Sequence, residues 1–250
     1  MIMPLNEENI LALQQFRHWW MLARKNIIKT VIDVHLHDII LHKKLNIADI
    51  GIGAGVNTGM LRQYGEVCGY DCSPNSISIV ENKWGSWVPV KLWAYPSPIP
   101  TKYDLILMSD IAEHFEDDSK LGEWLSAVLV DGGHAIITSP AYNWLWSSMD
   151  ELVGHYRRYT KATLSKVLQH PDLEIVYSTY WGFTTLPFKL VSIIAMKLLS
   201  LFGQKTSMND MPPRPVNALL KALSFLDILW LGYGRKLPFG SSVLMIVRKK

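Results

Sequence analysis

The chain has 250 residues and a formal charge of +3; 49% of it is hydrophobic and 19% charged. That composition excludes a disordered chain and supplies a sizeable core, and the length suits one large domain or one domain with an elaborated insert. Only two cysteines occur, Cys68 and Cys72, which argues against a disulfide framework; the start, MIMPLNEEN, has no basic stretch leading into an apolar run. A cytoplasmic, reducing setting is the expectation.

Residues 7–43 read as helical, because Ile10, Leu13, Phe16 and Trp20 recur at three- and four-residue spacing. A short apolar run, Leu45–Ile50, then ends in Gly51, Gly53 and Gly55, the pattern of a buried strand turning sharply into a helix. Further strands are expected at Glu66–Asp71, Trp87–Trp93, Tyr103–Ser109 and His134–Ser139, with helices near Pro74–Lys83 and Asp117–Val130. This alternation predicts a doubly wound α/β domain with a parallel sheet. A helix (Thr160–Gln169) and a strand (Leu173–Tyr180) follow, then an apolar helical insert at 184–235 and a closing strand, Ser242–Arg248. The chain therefore divides into a helical cap (1–43), a core (44–182), an insert (183–236) and a last strand (237–250). Charge is uneven across these parts: residues 1–160 hold 13 Lys/Arg against 18 Asp/Glu, and residues 161–250 hold 12 against 4. The basic C-terminal third can face an anionic partner or merely solvent.

The glycine loop is the most informative segment. Glycines at this spacing let backbone approach a ligand at a strand-to-helix turn, which both dinucleotides and S-adenosylmethionine exploit. Asp49 precedes the loop, where a carboxylate would repel a pyrophosphate but attract the ammonium and sulfonium of S-adenosylmethionine. Asp71, 20 residues beyond Gly51, ends the next strand, where it can accept bonds from ribose hydroxyls.

D-I-G-I-G-A-G at 49–55 resembles motif I of class I S-adenosylmethionine-dependent methyltransferases, and Gly69-Tyr70-Asp71 resembles their acidic second motif. The run from Tyr103 through Ser109 and Asp110 to Glu113-His114 is similar to the fourth-strand segment of the ubiquinone-type members. The resemblance covers roughly 45–180 and the closing strand. It implies a seven-stranded sheet whose last strand is antiparallel, and a cofactor held by Asp49, Gly51, Gly53, Gly55, Asp71, Cys72 and Ser109. At the adenine position Trp93 or Ala94 stands where the family often has an acidic residue, so adenine would stack or bond to backbone there.

Methyl transfer needs alignment, exclusion of water and sometimes removal of the acceptor's proton. His114, after strand 4 on the ligand side of the sheet, is the general-base candidate, oriented by Glu113 or Asp110; the competing reading is a histidine that caps or packs. The stretch from Pro140 to Tyr159 is dense in aromatic, His and Arg residues. Its P-A-x-x-x-L-W-S-x-x-D-x-x-x-G-H-x-R-R-Y pattern, with His18-Trp19-Trp20 and Arg24, resembles a group of bacterial methyltransferases tied to glycan or lipid metabolism. Trp20, Arg24, Tyr142, Trp146, His155, Arg157, Arg158 and Tyr159 are accordingly acceptor-pocket candidates, unless the arginines pair with Asp150 or Glu151 and only fix the loop.

Asp33, His35, His37, Asp38 and His42 do not close into a metal constellation at their spacing, and no metal is expected. The insert is read as a lid over the acceptor, with interfacial membrane contact as the alternative. The expected activity is methyl transfer from S-adenosylmethionine to oxygen on a small-molecule, glycan or lipid-linked acceptor; nucleic acid lacks a motif. The rivals are an NAD-dependent oxidoreductase, disfavoured by Asp49, and a non-catalytic binding or membrane adaptor that keeps the fold.

Overall fold

The computed structural model describes residues 16–201 and 212–250. Seven strands form one sheet: β1 (Leu45–Ile50), β2 (Gly65–Asp71), β3 (Val90–Leu92), β4 (Tyr103–Ser109), β5 (Leu129–Pro140), β6 (Leu173–Trp181) and β7 (Ser242–Lys249), in the order β3-β2-β1-β4-β5-β7-β6. The first five are parallel, and β7 runs antiparallel to both β5 and β6. The expected seven-stranded architecture with an antiparallel last strand is therefore the one observed.

The sheet forms because its central strands are apolar on both faces, as strands covered by helices on both sides must be. Alternate residues supply two cores. Ile47, Leu105, Leu107, Ile136 and Ile246 point to one side, where Ile27, Ile28 and Val31 of helix α1 (Trp19–His35) cover them. Ala48, Ile106, Ile137 and Met245 point to the other, under Leu121, Leu125 and Val128 of a later helix.

The helix expected over 7–43 is two: α1 and α2 (His37–His42), broken at Leu36. Its first residues, Ile10 and Leu13 among them, lie outside the described residues. Next come α3 (Thr58–Leu61) and α4 (Pro74–Trp84), the latter capped by the Ser73 hydroxyl. β3 is shorter than expected, because Gly85–Trp87 makes a 3-10 turn and Pro89 has no N–H to pair. Helix α5 (Leu121–Val128) starts four residues later than expected, since Asp117 instead folds back on the amide of Ser119 at 2.9 Å. Then follow α6 (Ser148–Leu152) and α7 (Lys161–Val167), both with capping boxes.

The insert contains α8 (Leu186–Leu201) and α9 (Arg214–Gly232). Helix α1 and the turn after β6 hold it in place. Asn217 Oδ1 accepts the Trp19 amide at 2.9 Å, and Trp20 stacks on Trp181 with centroids 4.3 Å apart. The buried Asp227 accepts the amides of Phe183 and Thr184 at 2.8 and 3.2 Å, so α9 caps the turn that leads into α8.

Candidate active site

Strand order reverses between β1 and β4, and in open α/β sheets ligands bind where the carboxyl ends of two such strands part. On the β1 side, Gly51, Gly53 and Gly55 all have positive φ (70°, 53° and 71°). A Cβ on Gly51 would sit 2.0 Å from Ile111 Cδ1, whereas one on Gly53 would meet nothing within 4 Å. The loop is thus packed at its root and open at its crest. Asp71 ties the crest to β2, accepting the Gly53 amide and the Ser73 amide at 2.9 Å each. Asp49 is 1% exposed and its Oδ2 has no partner. Burial pushes its pKa up to about 7, helped by the Asp71 charge and opposed by Arg24. A buried, unpaired carboxylate of this kind is a ready site for a cation.

On the β4 side, Asp110 has φ 56° and is held at both oxygens: Arg24 Nη1 donates at 2.6 Å and the Thr138 hydroxyl at 2.8 Å. Glu113 is fully buried; the Ser139 hydroxyl donates to its Oε2 at 2.9 Å, and its Oε1 has no partner. Burial and the neighbouring Asp110 charge raise its pKa well above the ordinary carboxylate range. His114 lies edge-on to His155, with centroids 4.7 Å apart. Burial, then the His155 charge, lowers the His114 pKa, so its ring is neutral at physiological pH.

The loop after β5 is organised by Asp150. Arg158 forks onto it through Nε and Nη2 at 2.8 Å each, the Ser147 amide donates at 2.8 Å, and His155 Nδ1 stands 2.9 Å away. Burial alone would raise the Asp150 pKa; the bonds to His155 and Arg158 outweigh it and hold the group below the usual carboxylate range. Arg157 binds Asp118 at 2.6 Å and the Glu116 carbonyl, and the buried Tyr159 hydroxyl donates to Asp118 at 2.6 Å. Tyr142 takes φ 57° and stacks on Tyr180, with centroids 5.1 Å apart.

Asp49, the three glycines and Asp71 thus meet at one rim of the crevice, and Asp110, Glu113, His114 and His155 meet at the other. Several acceptor candidates are engaged within the protein instead. Arg24, Arg157, Arg158 and Tyr159 spend their polar groups on Asp110, Asp118, Asp150 and Asp118. Trp146 donates to Glu151 at 3.4 Å, and Trp20 lies against Trp181. Trp93 donates to the Ser97 carbonyl at 2.8 Å, Ala94 and Cys72 are exposed, and Ser109 is buried with an unpartnered hydroxyl. Sequence reasoning overlooked Thr138, Ser139 and Lys189. The last is an α8 lysine whose Nζ lies 5.4 Å over the Trp20 ring. Burial lowers its pKa to about 8, against the pull of Asp150 and Asp110. Its place as one of only two charges in an otherwise apolar helix was the available signal.

The sequence matches the methyltransferase-domain family over residues 25–178. The chain belongs to that family. No curated protein sequence matches it, but solved structures do. The plantazolicin methyltransferase BpumL, in complex with a monoazolic desmethylPZN analog and SAH, is 14% identical, with 98% of this chain and 91% of that one covered and a TM-score of 0.60. A S-adenosylmethionine-dependent methyltransferase from Clostridium acetobutylicum is also 14% identical, with 91% of each chain covered and a TM-score of 0.56. Coclaurine N-methyltransferase, bound to N-methylheliamine and SAH, is 16% identical, with 88% and 69% covered and a TM-score of 0.54. Likeness at these identities is likeness of fold, and the family match establishes the class. This methyltransferase is an enzyme whose methyl donor is S-adenosylmethionine, and the NAD-dependent alternative falls.

Arg158→Ala would leave Asp150 buried without its main counter-charge. The expected loss is about 3–5 kcal/mol in chemical denaturation; a loss under about 1 kcal/mol would show that the pair does not hold the loop.

Proposed function

We propose that the enzyme methylates a hydroxyl on a small-molecule, glycan or lipid-linked acceptor bound between the glycine loop and the loop 142–159. The observation that carries this reading is the pairing, at the carboxyl ends of β1 and β4, of the orphaned Asp49 carboxylate with the Glu113–His114–His155 group, buried at Glu113 and half-buried at the two histidines. S-adenosylmethionine supplies an electrophilic methyl next to a sulfonium. Asp49 holds the donor's ammonium, the glycine loop lets its backbone approach, and Asp71 keeps free lone pairs for the ribose hydroxyls. A hydroxyl becomes a good nucleophile only as its proton leaves, and a neutral His114 takes that proton. The arrangement of Arg158, Asp150 and His155 holds the acceptor loop in place, and Lys189 offers a cation to an anionic acceptor.

A second feature supports a lipid-linked acceptor. Phe188, Val191 and Ile194 of α8 and Leu226, Leu229 and Trp230 of α9 are exposed, at spacings that put each set on one helical stripe. Helix α9 is also long and apolar enough, by length and composition, to cross a membrane. Its buried Asp227, bonded to the α8 turn, instead fits a helix lying on a surface with one face in the protein. Arg214, Lys221, Arg235 and Lys236 are exposed beside these stripes, and the Arg235 guanidinium lies 4.7 Å over the Trp230 ring. Apolar stripes edged with cations fit an anionic lipid surface.

Three outcomes test these assignments. Below pH 7 a protonated Asp49 no longer pairs with the donor's ammonium. Calorimetry should therefore show SAH affinity falling, by up to about tenfold per pH unit, in the wild type but not in Asp49→Asn. A pH-independent wild type would remove Asp49 from the site. His114→Ala should slow turnover about 10²–10⁴-fold with SAH binding intact, and the wild-type rate should rise with pH to a plateau reached below neutrality. The protein should sediment with phosphatidylglycerol vesicles but not with phosphatidylcholine, and Leu226→Glu with Trp230→Glu should abolish this; no sedimentation leaves the insert as a lid.

A further inference from the structure

We propose that Glu113, His114 and His155 bind one divalent transition-metal ion, which binds the acceptor's hydroxyl oxygen and promotes loss of its proton. The inference rests on the O-methyl-transfer reading and specifies how the acceptor is activated.

Each of the three residues offers one ligand atom, and these atoms lie within 4.8 Å of one another. His155 Nε2 stands 3.9 Å from Glu113 Oε1. Ligands about 2.1 Å from a tetrahedral ion stand roughly 3.4 Å apart, so binding would draw the set together by up to about 1.4 Å. Three independent features favour an ion over simple packing. Glu113 Oε1 is buried with no donor, although Ser139 satisfies Oε2, and a cation would complete it. His155 Nδ1 is engaged by Asp150 at 2.9 Å, which leaves Nε2 as the free nitrogen on the Glu113 side. A carboxylate behind an imidazole is the usual support of a metal-bound histidine, and here Arg158 and Ser147 fix that carboxylate in turn. Finally, His114 and His155 are only half-buried, so an ion held between them and Glu113 is within reach of solvent and substrate.

Two imidazoles and one carboxylate suit Zn²⁺, Mn²⁺ or Fe²⁺ better than Mg²⁺ or Ca²⁺, which prefer oxygen ligands. Three protein ligands leave open positions, the mark of a catalytic site. Asp110 is already neutralised by Arg24, and the sequence segment 33–42 offers no competing set among the described residues: Lys29 and Tyr64 occupy Asp33, and His35 packs on Tyr177. The chemistry is balanced. The acceptor oxygen binds the ion and its proton passes to water. A lone pair on that oxygen then forms the C–O bond as the C–S bond breaks, and the C–S pair stays on sulfur, leaving neutral S-adenosylhomocysteine. In the metal-loaded enzyme His114 is a ligand, and its role as base applies to the metal-free form.

The test uses protein stripped with chelator and titrated with Co²⁺, read by visible d–d absorption, with SAH calorimetry on the same samples. One Co²⁺ per chain should bind, be displaced by Zn²⁺, and bind at least tenfold more weakly in Glu113→Gln, His114→Ala and His155→Ala. SAH affinity should stay unchanged in every variant that remains folded. A footprint on the wild type needs no variant: Zn²⁺ should protect His114 and His155 from diethylpyrocarbonate while the exposed His37 continues to react. Absence of Co²⁺ absorption and of protection, in protein that binds SAH, overturns the metal site and leaves the methyltransferase reading standing. Undiminished Co²⁺ binding in all three variants also overturns it, by placing the ion elsewhere. Failure of the wild type to bind SAH would instead strike the donor assignment.

Discussion

One buried carboxylate, Asp150, sets the geometry of the acceptor half of the site. The loop that follows β5 is long and rich in polar and aromatic side chains, and such a loop has no sheet ladder to hold it. Asp150 replaces the ladder: it closes the capping box of α6, forks with Arg158 and orients His155. Two charges taken out of water gain little stability unless their remaining bonds are met. Here they are met, for Arg158 also donates to the Ala141 carbonyl at 3.2 Å. The loop is therefore rigid where His155 emerges, and the His114–His155–Glu113 group inherits that rigidity. The same constraint supports Tyr142, whose positive φ is costly for a bulky residue, by about 1–3 kcal/mol. Its amide is bonded to the Tyr159 carbonyl and its ring is clamped between Trp144 and Tyr180.

Four carboxylates gather around the crevice, and each is treated differently. Asp71 is satisfied by two backbone amides, Asp110 by an arginine and a hydroxyl, and Glu113 by one hydroxyl and burial. Asp49 and Glu113 each keep one buried oxygen without a bond, and of the two only Asp49 stands at the root of the glycine loop. On the donor assignment proposed above, such a set of carboxylates suits a ligand carrying an ammonium and a sulfonium and repels a pyrophosphate, so that charge at the root of the loop, rather than the glycines, discriminates between cofactors that share glycine loops.

The donor half was legible in the sequence because its determinants are local. The apolar run, the three glycines and two acids at strand ends lie within 27 consecutive residues, 45–71, and strand geometry places them without further information. The sheet was legible for a similar reason, with β1 and β4 found at their observed limits. The acceptor half depends on pairs far apart in sequence, and there composition named residues without their roles. Arg24 and Asp110 are 86 residues apart, and Tyr159 and Asp118 are 41 apart. The aromatic and basic density of 142–159 signals a built loop, yet nothing in it says which arginine faces a ligand and which faces Asp150. Thr138 and Ser139 escaped notice because a hydroxyl at the end of a buried strand looks like any other strand residue. The break at Leu36 and the short β3 reflect tertiary packing and a proline, which outweigh periodicity.

The insert joins the two halves through a physical route. Helix α9 caps the turn before α8 with Asp227 and caps the start of α1 with Asn217; α1 in turn carries Arg24 to Asp110. Lys189 of α8 rests over Trp20 of α1, within electrostatic reach of Asp110, Asp150 and Arg158. A shift of α8 and α9 therefore reaches, through α1 and Lys189, the charges of Asp110 and Asp150. A lid that merely covered the crevice would need no such connections to the base of the site. On the reading proposed above, the lid and the docking surface are then one element with two faces, the inner one set toward the charges of Asp110 and Asp150 and the outer one toward the surface that carries the acceptor.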